Sequence, residues 1–142
     1  MITQGQTTVF KNNCLSGLEN VASGTPYTYK IALYTANATL NNATTAYTTD
    51  NEVTGTGYTA GGEVLTPIAP AYDTTADVAY VSFLTVVWNP ASFTCRGALI
   101  YNSTTLAAVA VLDFGSDKTA SSTFTITFPT DDAANAIIRF AQ

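Results

Sequence analysis

From Tyr27 onward the chain alternates apolar and polar residues in short runs, and turn-forming residues cut off each run before a helix could use it. Tyr27, Tyr29, Ile31 and Leu33 alternate with Thr28, Lys30 and Ala32, the period of a half-buried strand. "VAYVSFLTVVW", residues 78–88, carries β-branched and aromatic residues on both faces and predicts a central strand. "SFTCRGALIY" sets Phe93, Cys95, Leu99 and Tyr101 on one side, and "LAAVAVLDF" ends at Asp113 and Phe114. "FTITF" turns Phe124, Ile126 and Phe128 inward, and "AIIRF" makes a last strand. Turn signals at Asn89-Pro90, at Asn102 and in "GSDK" from Gly115 separate these runs at the short spacing of an antiparallel sandwich or barrel. Pro67 and Pro70 predict a longer loop crossing between sheets, because proline cannot sit in a central strand.

Ahead of the strands, Phe10, Cys14, Leu18 and Val21 stand three or four apart, which predicts one short helix over Val9 to Val21 ended by Gly24 and Pro26. Asn12, Asn13 and Gly17 are poor helix formers, so an irregular N-terminal segment is the alternative. Residues 1 to about 9, uncharged and polar before Val9, read as an arm ordered by contact with another subunit. The expected fold is a single domain over residues 1–142. It is all-β, an antiparallel sandwich of about eight strands, jelly-roll-like, with one short N-terminal helix.

Composition narrows the functions. Charged residues are 11% of the 142, Lys plus Arg number five, and the net charge is −5. So few cations cannot release the counterions that binding to a nucleic-acid backbone requires, so no nucleic-acid partner is expected. No stretch reaches the eighteen or so apolar residues of a membrane span, and the N-terminus lacks the layout of a signal peptide, which predicts no membrane partner and folding in a cytoplasm. There is no histidine, which removes Ser-His-Asp and Cys-His nucleophiles and imidazole metal ligands. Cys14 and Cys95 are too few for a disulfide framework or a zinc site and read as buried thiols. Asn37, Asn42 and Asn102 open N-x-[ST] triplets, which a chain this rich in Asn and Thr produces by chance.

"NEVTGTGYTAGGEVLT", residues 51–66, has the glycine density of a phosphate-cradling loop. It has neither the lysine nor the following helix that such a loop needs, and Gly62 leads into strand-like "EVLT". Asp50 to Gly55 mimics half of a calcium loop, but Gly61 stands where the bidentate Glu belongs. Gly55, Gly57, Gly61 and Gly62 are therefore read as turn and bulge positions. A carboxylate pair drawn from Glu52, Glu63, Asp73, Asp77 and Asp113 is the remaining route to chemistry, as glycoside hydrolysis, against the plainer reading that these cap turns. Asp131 and Asp132 read as turn acceptors, and Arg96 and Arg139, inside strands, each either point outward or need a carboxylate such as Asp113. The eight tyrosines exceed what a core needs, so some are expected at a protein interface. Trp88 reads as core or interface, with sugar stacking as the alternative.

Taken together, "YKIALYTANATL", "TAYTTDNEVTGTGYTAGGEVLT", "FTCRGALIYNST" and "AVAVLDFGSDKTA" resemble small virion proteins of tailed bacteriophages over nearly the whole chain. In that group Gly55, Gly57, Gly61 and Gly62 mark a loop between strands, and Arg96-Gly97-Ala98 and Asp113-Phe114-Gly115 belong to the strand pair after it. The resemblance implies a non-enzymatic virion component with no catalytic, cofactor or metal residues. It would be assembled in the bacterial host cytoplasm and bind the major capsid protein and itself, as a decoration or cement protein. The alternatives are a tail, neck or fibre component, or a carbohydrate-binding β-sandwich module.

Overall fold

The computed structural model describes residues 1–141. Ten strands and one helix follow in the order β1 (Gly5–Gln6), α1 (Thr8–Leu15), β2 (Tyr29–Tyr34), β3 (Glu63–Leu65), β4 (Ala71–Asp73), β5 (Val78–Val81), β6 (Val86–Trp88), β7 (Phe93–Asn102), β8 (Ala108–Ala120), β9 (Phe124–Ile126) and β10 (Ile138–Ala141). They form an antiparallel, all-β, sandwich-like fold of a five-stranded sheet β1-β8-β7-β2-β3, a three-stranded sheet β10-β5-β4 and a ribbon β6-β9. Thr66 to Pro70 carries the chain from the first sheet to the second, as the prolines predict, but the loop is shorter than expected, because Ala71–Asp73 directly after it forms β4.

The five-stranded sheet is covered on both faces. Ile31 and Leu33 of β2 pack with Ala98 and Ile100 of β7 against Trp88, Phe83 and Phe128. Ala32 and Tyr34 turn the other way, toward Leu99, Tyr101, Ile2 and Leu40. The second face is closed by the long segment between β2 and β3, so every residue of β2 except the partly exposed Lys30 is buried, rather than every second one as its alternation suggests.

Bulges decide which side chains share a face. The β7–β8 register shifts between Cys95 and Gly97, so the pattern that places Phe93 and Cys95 with Leu99 and Tyr101 breaks there. Phe93 and Cys95 belong to the first core, and Leu99 and Tyr101 to the second. Gly115, expected in a turn, lies inside β8, which runs to Ala120 while Phe93–Cys95 pairs with its far end. The run 78–88 is two strands in different sheets. Phe83 between them pairs with Pro67 at the crossing.

The helix is shorter than its apolar spacing predicts. Thr7 caps it, accepting from Phe10 N–H at 3.2 Å while its hydroxyl donates to Ala108 O at 2.9 Å. Gly17, at φ +72°, ends it: Leu18 N–H donates to Asn13 O at 2.8 Å and Gly17 N–H to Cys14 O at 3.3 Å. This closed C-terminal turn leaves Leu15 and Leu18 outside the core. The arm expectation is also corrected. Ile2 is buried against Leu40, Gly5–Gln6 pairs with Val111 and Ala110, and Thr7 is fully buried, so residues 2–7 are ordered by their own chain. Backbone pairing with β8 satisfies a segment too polar to be held by apolar contact.

Candidate functional site

The glycine loop encloses a carboxylate of its own. Residues 51–53 run beside the end of β2, with Val53 N–H donating to Leu33 O at 2.9 Å, and β3 pairs with the start of the same strand. Residues 54–62 are thus an excursion between two stretches that share one edge of β2. At the break, Leu33 N–H donates to the Tyr58 hydroxyl at 2.8 Å, which replaces the missing ladder partner. That hydroxyl donates to Glu52 Oε1 at 2.7 Å, as does Gly61 N–H at 2.7 Å, and the Tyr47 hydroxyl donates to Glu52 Oε2 at 2.7 Å. Tyr101 donates to Gly61 O at 2.7 Å and stacks on Tyr47 with ring centroids 4.6 Å apart.

Glu52 is 8% exposed, and its charge is balanced by hydrogen-bond donors rather than by a cation. Two glycines are required for this approach. A Cβ on Gly62, at φ +75°, would lie 1.8 Å from Ile31 O, and one on Gly57, at φ +82°, 1.8 Å from Pro90 O. The loop does cradle an anion, but the anion is the side chain of Glu52. Burial and then the Glu52 carboxylate raise the hydroxyl pKa of Tyr47, Tyr58 and Tyr34 well above the ordinary phenol range, and that of Tyr101 to about 12.

The other candidate carboxylates lie elsewhere. Glu63 is exposed on the edge strand β3. Asp73 Oδ1 accepts from Thr75 and Ala76 N–H at 2.8 and 3.1 Å, capping the β4–β5 turn in which Asp77 sits at φ +56°. Asp113 pairs with Arg96 at 3.5 Å and accepts from Gly115 N–H at 2.9 Å. Asp132 accepts from Ala134 and Asn135 as a turn residue, and Arg139 donates to Ala133 O at 2.6 Å instead of reaching Asp113. Of the five carboxylates considered for hydrolysis, only Asp73 and Asp77 share a depression, which is open and shallow and bounded by Tyr72 and Phe140.

Trp88 is 1% exposed in an aromatic cluster with Tyr58, Phe93 and Phe124, so it is core. Cys95 is buried and Cys14 half-buried, as separate free thiols. Among the described residues no group of three or more His, Cys, Asp or Glu side chains could hold a metal ion. No helix among them is long and apolar enough to cross a membrane.

A second feature has no counterpart in the sequence reading. Between α1 and the three-stranded sheet lies an apolar groove of about 260 Å³, walled by Phe10, Cys14, Val21, Val81, Ile138 and Phe140. Glu19 stands at its wall, with Oε2 accepting from the Tyr29 hydroxyl and from Asn102 Nδ2 at 3.0 Å. The sequence signal for Glu52 was no more than its place at the start of a Gly-rich stretch that also holds Glu63. The groove had no such signal, because it needs elements distant in the chain. No protein-family model matches the chain, and no curated protein or solved structure matches it either.

Proposed function

We propose that the protein is a non-enzymatic structural component of a tailed-bacteriophage virion, a decoration protein that binds the shell of major capsid protein and stabilises the head. The resemblance to small virion proteins motivates the reading. The observation that carries it is the use made of Glu52: the one buried acidic side chain among the described residues spends its hydrogen bonds on holding a surface loop to the sheet. That arrangement suits a rigid β body whose task is to be bound. The exterior offers Tyr72, Val64, Leu84, Val87 and Phe140 as exposed apolar or aromatic contacts and few charges. Attachment does not run through residues 3–7, since the backbone of Thr3, Gly5, Gln6 and Thr7 is engaged within the chain.

A map of particles that carry the protein tests the reading, with ordered copies expected on the outer shell. Density confined to the tail axis overturns it in favour of a tail or neck component. Attachment should survive moderate salt, because screening acts on charge pairs that this surface scarcely has. The carbohydrate-binding alternative loses Trp88 as a stacking platform, since that ring is enclosed.

A further inference from the structure

We infer that the groove between α1 and the three-stranded sheet receives a second copy of this chain, with Leu15 of each copy seated in the groove of the other. The inference goes beyond the proposed function, gives a surface to the self-association that the resemblance implies, and is independent of capsid binding.

The groove and its filler lie side by side on the same molecule. Leu15 is 90% exposed at the end of α1, directly after the groove residue Cys14, and Leu18, also exposed, directly precedes the groove residue Glu19. On the sheet side Tyr72, Ala79 and Phe140 form one row across β4, β5 and β10, with Tyr72 77% exposed. A projecting apolar side chain adjacent to an apolar recess is the arrangement a two-fold contact needs, because each copy supplies both parts. A cavity of roughly 150 Å³ already accepts a benzene ring. The groove, at about 260 Å³, has room for a leucine side chain.

Charge favours the same occupant. The shallow depression next to the groove, which shares Ala79 and Phe140 with it, carries Asp73 and Asp77, and the only ion pair among the described residues, Arg96–Asp113, lies elsewhere. Lys11 is exposed one helical turn before Leu15 on α1, likewise outside any ion pair among the described residues. Seating α1 of one copy on the groove of another carries this ammonium toward the two carboxylates. A stable contact needs about 800 Å² per partner. That is roughly a ninth of the 7222 Å² surface.

Sedimentation of the full chain from about 5 to 200 μM tests this. Wild type is expected to dimerise with concentration. Leu15→Asp removes the filler, and Ala79→Trp blocks the groove floor without touching α1. Each change occurs twice per dimer, so each should weaken association about a hundredfold or more, with the circular dichroism and melting temperature of the monomer retained. A wild type that stays monomeric throughout, or a dimer that persists in either folded variant, overturns the inference. Particle occupancy measured separately decides capsid binding, so the two readings fail by different results.

Discussion

Replacing Glu52 by Gln keeps the shape of the side chain and removes its charge. The carboxylate accepts three hydrogen bonds, from Tyr58, Gly61 N–H and Tyr47. Hydrogen bonds to an ionised group are worth about 1.5–3 kcal/mol each and neutral ones about 1 kcal/mol. The amide oxygen can keep the two bonds now made to Oε1, weakened to neutral strength. The amide nitrogen then meets the Tyr47 hydroxyl, which must rotate to accept. Losing about 1 kcal/mol at each of three contacts gives a destabilisation of about 3 kcal/mol for Glu52→Gln, and about 4 kcal/mol or more for Glu52→Ala, which also strands the buried Tyr58 and Gly61 donors. At about 3 °C per kcal/mol for a chain of this size, the Gln variant should melt about 9 °C lower. Urea denaturation and calorimetry at neutral pH measure both, and Tyr58→Phe alone and combined with Glu52→Gln should reveal coupling of about 1 kcal/mol or more. A Gln variant within about 0.5 kcal/mol of wild type, with additive effects in the double variant, refutes the view that this carboxylate holds the loop.

The phenols should destabilise the fold at high pH. Burial first, then Glu52 or Glu19, raises the pKa of Tyr29, Tyr34, Tyr47, Tyr58 and Tyr101 above the ordinary 10.0, so their contribution is complete below pH 10 and is lost as pH climbs through the folded values. Denaturation midpoints should fall steeply above pH 10, and a folded protein whose eight tyrosines all ionise in one step near 10 by ultraviolet absorbance contradicts this. Burial pushes the Cys14 thiol to about 11 and Cys95 to about 12, so alkylation at pH 8 should be slow for both until the protein is unfolded; rapid modification of native Cys14 would count against it. Gly62→Ala should prevent folding or cost at least about 3 kcal/mol because its methyl group meets Ile31 O, whereas Gly115→Ala, at φ +76° in open space, should cost only about 1 kcal/mol. Equal stability losses in the two variants would remove the argument from close approach.

The alternation at Tyr29 to Tyr34 and in "FTITF" was enough to place strands, since a period of two follows from local backbone geometry. The proline crossing at 66–70 and the positive-φ glycines were legible for the same reason. Proline's missing N–H and glycine's missing Cβ act on the residue itself. The end of α1 was less legible, because Gly17 outweighed an apolar spacing that continued to Val21. The site was legible only as a negative: the loop lacked the lysine of a phosphate site, and nothing local indicated that its glycines approach β2 around Glu52.

The sequence by itself determined the class of fold, the position of most strands and the poverty of titratable chemistry, because these depend on side-chain pattern and inventory. Tertiary structure decided the rest. The bulge at Arg96 separated Leu99 and Tyr101, in the second core, from Phe93 and Cys95, in the first; pairing with β8 tied down the N-terminal segment, and the excursion between two pairings on one edge of β2 enclosed Glu52. Each outcome depends on contacts between residues far apart in the chain, where a shift of one residue reverses the face a side chain occupies.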